Sequence, residues 1–134
     1  MKKKSFAQNI DSVRQIQEFV REFLSTRCSN KNRLLKIDLV IEEIIVNIVQ
    51  YGDTDIQNSA IDVEVDVADN NIILEISDGG PSFNPLELEN PDITTGLDQR
   101  RPGGLGIFFV KQIANEIQYE RKDNKNILKL CLGL

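Results

Sequence analysis

A carboxylate and an amide interrupt the apolar stretch "IEEIIVNIVQYG" at residues 41–52. Glu43 and Asn47 have i, i+4 spacing, so a helix places them one turn apart on one face, whereas Glu42 points elsewhere. A polar stripe roughly 60° wide contains Asn32, Lys36, Glu43, Asn47 and Gln50. Because burying a free carboxylate is costly, this stripe must face water, a partner group or a ligand. The alternative is a solvated helix edge on which Glu43 pairs with a basic side chain.

The stretch "SDGGPSFNP", residues 77–85, places a second carboxylate next to glycines. Asp78 lies at the end of an apolar strand, followed by Gly79 and Gly80. Backbone without side chains suits a site that a flat polar ligand approaches closely. The alternative is an ordinary turn, since Asp-Gly is a common turn dipeptide.

Glycines also introduce a helix in "RRPGGLGIFFVKQIANEI", residues 100–117. The free N–H groups of Gly103, Gly104 and Gly106 at a helix start would form an anion site, and Arg100 and Arg101 add positive charge. The spacing matches neither a Walker A loop nor the GxGxxG of dinucleotide-binding folds. The alternative is a flexible joint.

Hydrophobic periodicity predicts the elements that position these residues. Three helices are expected at Asn9–Ser25, Lys31–Gln50 and Leu105–Ala114, with Asp11 or Ser12 capping the first and Gly52 ending the second. Strands are expected at 61–67, 71–77, 116–122 and 126–134, forming two hairpins around the turns "ADNN" and "DNKN". We expect the second helix to be largely buried outside its polar stripe. The order predicts a two-layer α+β sandwich without a domain boundary, with a long loop at 79–102.

Composition excludes several classes of function. The 134 residues carry a net charge of −5, which argues against nucleic acid or anionic lipid as the main partner. The chain has no histidine, which excludes Ser-His-Asp and Cys-His catalysis and His-ligated zinc. No stretch is long and apolar enough to cross a membrane, and the basic start "MKKKSF" is expected to be a solvated tail rather than a secretory signal. Cys28 and Cys131 could form a disulfide, but two free thiols are favoured.

Together, "EIIVN", "DGGPSFNP" and "GGLGIFFVKQIANEIQYER" resemble the N box and the two glycine boxes of the GHKL ATPase superfamily. The resemblance covers about residues 10–132. It implies the Bergerat fold, in which three helices cover a mixed, mostly antiparallel sheet, as a single histidine-kinase-like ATP-binding domain over residues 1–134. Within the superfamily, the length of the chain most resembles stand-alone anti-sigma factor serine/threonine kinases.

The resemblance also implies roles for individual residues. Glu43 would be the general base, and Asn47 would ligate Mg²⁺. Asp78 would accept a hydrogen bond from the adenine amino group, either directly or with a water, and Gly80 would let the base approach. Residues 86–102 would form a lid over the phosphates. The remaining nucleotide contacts implied by the resemblance are Phe83, Thr94, Thr95, Arg100, Arg101, Gly103, Gly104, Leu105 and Gly106.

The implied activity is Mg-ATP-dependent phosphorylation of a serine on a small anti-sigma-factor antagonist, with sequestration of a sigma factor as a further implied role. The alternative is a non-catalytic switch in which bound ATP sets the affinity for a partner protein. A cytoplasmic location is expected, as is a homodimer, and neither nucleic acid nor a membrane is an expected partner. Arg14, on the first helix, is a candidate partner contact, although a solvated charge explains it equally well.

Overall fold

The computed structural model describes residues 1–51, 60–87 and 104–134. Its elements, in chain order, are β1 (Lys2–Ala7), α1 (Ser12–Leu24), α2 (Lys31–Tyr51), β2 (Ala60–Ala68), β3 (Asn71–Asp78), a 3₁₀ turn (Pro85–Glu87), α3 (Gly104–Ile113), β4 (Glu116–Lys122) and β5 (Lys125–Gly133). The three helices and four strands expected from periodicity are confirmed, with small shifts at their ends. The strand β1 was not expected.

The five strands form one sheet in the order β1-β2-β3-β5-β4. All four pairings are antiparallel, so the parallel pair that a mixed sheet would contain is not found among the described strands. The α+β class is confirmed. The second hairpin joins the first through β5 rather than β4, which brings the start of β5 against the end of β3.

One face of the sheet packs against the helices and forms the core. Alternate residues of the three central strands are buried there: Ile61, Val63, Val65, Ile72, Leu74, Ile76, Leu128, Leu130 and Leu132. The helices contribute Ile16, Phe19, Val20, Phe23, Ile37, Val40, Ile41, Ile44, Ile45 and Val110. Removing these apolar surfaces from water is the main favourable term that holds the two layers together.

Both hairpins turn on an Asp-Asn pair in the left-handed backbone region. Asp69 and Asn70 have φ of 53° and 62°, and Asp123 and Asn124 have φ of 53° and 61°. Asp and Asn tolerate this region better than other side chains, and two such residues form the turn whose twist matches that of the flanking strands. The two turns expected from the sequence are therefore confirmed.

The basic N-terminus is part of the sheet, so the expectation of a solvated tail is wrong. β1 pairs with β2 in a register that places Phe6 opposite Ile61. Phe6 is only 5% exposed, and its ring contacts Phe19 edge-on with the centroids 5.7 Å apart. The lysines are exposed on an edge strand, a position where charge discourages pairing with another sheet.

The start of α1 differs from the expected cap. Asp11 makes no side-chain capping bond. Instead, Asn9 Oδ1 accepts a hydrogen bond from the Ser12 backbone N–H at 3.2 Å, and the Ser12 hydroxyl donates to the Ala7 carbonyl at 2.5 Å. These bonds tie the start of α1 to the end of β1.

A polar contact and an exposed apolar pair distinguish the surface of α2. Arg21 of α1 donates to the Asp38 carboxylate, with Nε 2.8 Å from Oδ2, so Arg21 joins the two helices. Leu35 and Leu39 are 60% and 39% exposed. The expectation that α2 is buried outside its polar stripe is therefore wrong near its first turns, where no described element covers it.

Cys28 and Cys131 are both free thiols, as favoured. In the described part of the chain, no helix combines the length and hydropathy needed to cross a membrane.

Replacing Phe6 with alanine tests whether β1 is an integral strand. Because the ring is buried in the core, Phe6→Ala should lower the free energy of unfolding in urea by about 3 kcal/mol. Lys3→Ala, on the exposed face of the same strand, is the matched control and should change it by less than about 0.5 kcal/mol. Equal, small effects of both substitutions would show that β1 is not docked on the core.

Candidate functional site

Asn47 is a buried amide without a hydrogen-bond partner. Its side chain is 3% exposed, and neither Nδ2 nor Oδ1 has a partner within the described ranges. A buried polar group left unpaired costs about 1–3 kcal/mol. The surrounding helix α2 is apolar and packs on the sheet, which offsets this free-energy cost. A ligand that formed hydrogen bonds with the amide would remove the cost.

Glu43 lies one turn before Asn47, as predicted, and is half-buried. Burial raises the pKa of its carboxyl above the ordinary value of 4.5, and the neighbouring charge of Glu42 raises it further. An acid whose pKa is higher in the folded state holds its proton more readily there. Glu43 therefore favours folding at low pH, and this contribution is lost as the pH rises from its ordinary pKa through its raised one.

Gly106, in the first turn of α3, provides the space that the Glu43 carboxylate occupies. A Cβ built on Gly106 would lie 1.7 Å from Glu43 Oε2 and 2.5 Å from Cδ. The two helices can bring this carboxylate against the start of α3 only because residue 106 has no side chain. The carboxylate thus lies against the first turn of α3.

Asp78 ends β3 on the helix-covered face, directly opposite Asn126 of β5. Its Oδ1 accepts hydrogen bonds from the Gly80 N–H at 2.9 Å and from Asn126 Nδ2 at 3.2 Å. The side chain is 7% exposed. The Gly80 N–H therefore helps to fix the carboxylate, a role that the sequence did not predict.

Three residues near Asp78 were not predicted from the sequence: Asn126, Tyr119 and Arg121. Asn126 is 8% exposed and bonds to the loop after β3 as well as to Asp78. Arg121 Nη1 donates to the Gly80 carbonyl at 2.7 Å. The sequence did contain a signal for Asn126. It alternates with Leu128 and Leu130 along β5 and so shares their inward-facing side, on which it is the polar residue.

Several of these groups line one pocket between α2, α3 and the end of the sheet, whereas Glu43, Gly106 and Arg121 are not among its lining residues. Its polar lining comes from Asn47, Asp78, Asn126 and Tyr119. Its apolar lining includes Ile44, Ile48, Ile76, Ile107 and Leu128. A mostly apolar pocket with a few convergent polar groups is typical of a small-molecule site.

The remaining predicted residues divide by location. Phe83 lines the cavity and stacks on Tyr51, with ring centroids 4.5 Å apart. Gly104 and Leu105 lie in the first turn of α3. Outside the described residues lie Gly52, Thr94, Thr95, Arg100, Arg101, Gly103 and all of the proposed lid 86–102 except Leu86 and Glu87. Those two residues belong to the 3₁₀ turn.

The polar side chains of the site do not form a metal cage of their own within the described residues. In the described part of the chain, no group of three or more His, Cys, Asp or Glu side chains could hold a metal ion. Mg²⁺ is commonly bound by one or two protein ligands together with substrate phosphates and water. The unpaired Asn47 Oδ1 suits that mode of binding, whereas an all-protein metal cage is not found in these ranges.

The chain belongs to the histidine kinase-like ATPase domain family, whose model matches residues 6–132. Over 94 residues it is 28% identical to the serine/threonine-protein kinase BtrW of Bordetella bronchiseptica, covering 70% of this chain and 66% of that protein. The chain thus spans just under two thirds of this curated relative.

Solved structures share the fold. The structure of the RsbU and RsbW domains of a Mycobacterium tuberculosis protein matches with a TM-score of 0.69 and 17% identity, covering 100% of this chain and 33% of that one. The histidine kinase domain of a blue-light activated histidine kinase from Erythrobacter litoralis gives a TM-score of 0.57 and 14% identity, covering 96% and 62%. At these identities the likeness concerns the fold alone.

Replacing Gly106 with alanine tests the contact with Glu43. The added Cβ should push the flexible carboxylate toward water, and the pKa of Glu43 should fall toward its ordinary value, as followed by a ¹³C-carboxyl NMR titration. Gly79→Ala is the control, because a Cβ there meets no atom within 4 Å. An unchanged Glu43 pKa in Gly106→Ala would contradict the placement of this carboxylate.

Proposed function

We propose that this domain binds Mg-ATP in the cavity between α2, α3 and the end of the sheet. The observation that carries the proposal is the unpaired, buried amide of Asn47 in the same cavity as Asp78. Asp78 is a hydrogen-bond acceptor for the amino group of adenine, and the apolar lining suits a flat base. Membership of an ATPase domain family supports the same ligand.

In this proposal, the polar groups at the other end of the cavity hold the phosphates. Asn47 Oδ1 is a ligand for Mg²⁺, which when bound offsets phosphate charge. The N–H groups at the start of α3, including those of Gly104 and Gly106, face the phosphates with the positive end of the helix dipole. The lid 86–102 supplies further contacts from Thr94, Thr95 and Arg101.

We further propose that the domain transfers the γ-phosphoryl group to a serine of a small anti-sigma-factor antagonist protein. Glu43 accepts the proton of the serine hydroxyl while the serine oxygen forms a bond to the γ-phosphorus. At the same time, the bond between the γ-phosphorus and the bridging oxygen breaks, and ADP leaves. A carboxyl whose pKa is raised by burial is a better proton acceptor than an ordinary one. The similarity to a serine/threonine-protein kinase supports this reaction.

The wider assignments belong to the same proposal. They comprise one ATP-binding domain over residues 1–134, a cytoplasmic location, sequestration of a sigma factor and formation of a homodimer. Arg14 remains a candidate partner contact, because its side chain is 87% exposed and, among the residues that the structure describes, pairs only with Glu18, at 3.4 Å. Arg21 is less suited to that role, because it is bound to Asp38.

Phosphotransfer from labelled ATP separates a kinase from a non-catalytic ATP-dependent switch. We expect Glu43→Ala to reduce transfer to the antagonist by roughly 10²-fold or more, as for loss of a general base, with ATP affinity largely kept. Glu42→Ala is the matched control, because Glu42 is exposed on another face and should have a mild effect. Near wild-type transfer by Glu43→Ala would contradict the proposed base, and no transfer by the wild type would favour the switch.

The unpaired Asn47 amide reduces the stability of the free protein, whereas in the proposed complex it increases the affinity for Mg-ATP. Asn47→Ala removes two unpaired buried atoms, so it should lower the stability of the free protein by less than about 2 kcal/mol, despite the cavity that it creates. It should also reduce the affinity for ATP with Mg²⁺ by roughly tenfold or more, and by much less without Mg²⁺. Isothermal titration calorimetry with Mg²⁺ or EDTA measures both affinities. The same affinity as the wild type under both conditions would contradict the proposed ligand.

A further inference from the structure

Asn126 is the centre of a hydrogen-bond network that no motif of the sequence marked. Its Oδ1 accepts from the Phe83 N–H at 3.1 Å and from the Tyr119 hydroxyl at 2.6 Å. Its Nδ2 donates to the Pro81 carbonyl at 2.8 Å and to Asp78 Oδ1 at 3.2 Å. A side-chain amide has two lone pairs and two N–H groups to offer, so Asn126 has none left for a ligand.

Two backbone groups fix which way the Asn126 amide points. The Phe83 N–H can only donate, and the Pro81 carbonyl can only accept. Exchanging the amide oxygen and nitrogen would place donor against donor and acceptor against acceptor. The second N–H of Nδ2 must therefore point at Asp78.

This fixed amide determines which oxygen of Asp78 is free. Oδ1 accepts from Asn126 and from the Gly80 N–H. Oδ2 accepts no hydrogen bond from any residue that the structure describes, although Asp78 lines the cavity. Two donors on one oxygen restrain rotation of the carboxylate about its Cβ–Cγ bond.

We propose that Asn126 is a positioning residue that holds Asp78 so that Oδ2 alone meets the exocyclic amino group of a 6-aminopurine base. Asn126 acts through Asp78 and does not itself contact the base. The inference rests on the proposed function, since it requires that the cavity take the adenine of ATP. It goes beyond that function by assigning the discrimination between amino and unsubstituted purines to the Asn126 amide.

Tyr119 has a smaller part in this arrangement. Its hydroxyl donates to Asn126 Oδ1, but the two backbone groups fix the amide without it. Removing this hydroxyl should leave Asp78 where it is. Because Tyr119 itself lines the cavity, the matched control is Lys129→Ala, on the exposed face of the same strand as Asn126.

Two nucleotides that differ only at the purine 6-position test the inference. ATP carries the amino group, and purine riboside 5′-triphosphate carries hydrogen there. We expect the wild type to bind ATP at least roughly tenfold more tightly than the analogue, because a hydrogen bond to a charged acceptor is lost. In Asn126→Ala the two dissociation constants should lie within about threefold, because the affinity for ATP falls and that for the analogue does not. In Lys129→Ala the wild-type preference should remain.

The ratio of the two affinities reports discrimination rather than folding. A variant that is partly unfolded binds both nucleotides more weakly by the same factor, so the ratio is unaffected. If Asn126→Ala does not fold, Asn126→Asp keeps the shape but faces Asp78 with an acceptor, and the same loss of preference is expected.

The possible outcomes separate this inference from the proposed function. ATP binding by the wild type with the full preference retained in the Asn126 variants would overturn the role of Asn126 and leave the ATP site intact. Equal binding of ATP and the analogue by the wild type would overturn the contact of Asp78 with the amino group. Failure of the wild type to bind either nucleotide would overturn the proposed function as well.

Discussion

The pairing of β3 with β5 is the contact on which the cavity depends. It aligns the buried residues of both strands and places Asp78 opposite Asn126 at the end of the sheet. Inside the sheet the same register is filled by leucine and isoleucine, so the core ends where these two polar residues begin. Because the connection from β3 runs through α3 and β4 before β5, the topology also brings the start of α3 to this end. The site is thus a consequence of strand order.

The apolar packing of α2 makes a buried, unpaired amide tolerable. Ile44 and Ile45 are 2% and 0% exposed and fix the helix on the sheet. Side chains of this size each contribute about 1.5–3 kcal/mol when buried, which is comparable to the cost of leaving the Asn47 amide without a partner. Gly106 lets α3 approach closely enough to enclose the neighbouring carboxylate. The free-energy cost of the unpaired amide is therefore offset by the apolar side chains buried in the core beneath the cavity, as is common at functional sites.

Much of the fold could be predicted from the sequence because its signals are local. The alternation in β2 and β3 and the Asp-Asn turns depend on neighbouring residues, and so does the shared face of Glu43 and Asn47. Strand β1 was not predicted, because Phe6 is its single buried residue and one apolar side chain among lysines does not give the alternation typical of a strand. Its strand structure comes from pairing with β2, which is non-local.

Non-local contacts also explain what was missed in the site. The partner of Asp78 is 48 positions away along the chain, and only the pairing of β3 with β5 brings Asn126 to it. The joining of Arg21 to Asp38 depends likewise on the packing of α1 on α2. In contrast, the alignment of Asp78 with the glycines that follow it is local, and the sequence predicted that part of the site.

The side-chain amide signals of Asn47 in a ¹⁵N NMR spectrum report whether Mg-ATP binds beside this buried amide. Saturating Mg-ATP should shift these signals and slow their hydrogen exchange, because the amide gains a partner. Asn126, whose amide is already fully bonded, should respond less. Asn47 signals that stay unchanged at saturation with Mg-ATP would contradict the proposed site, as would an absence of binding.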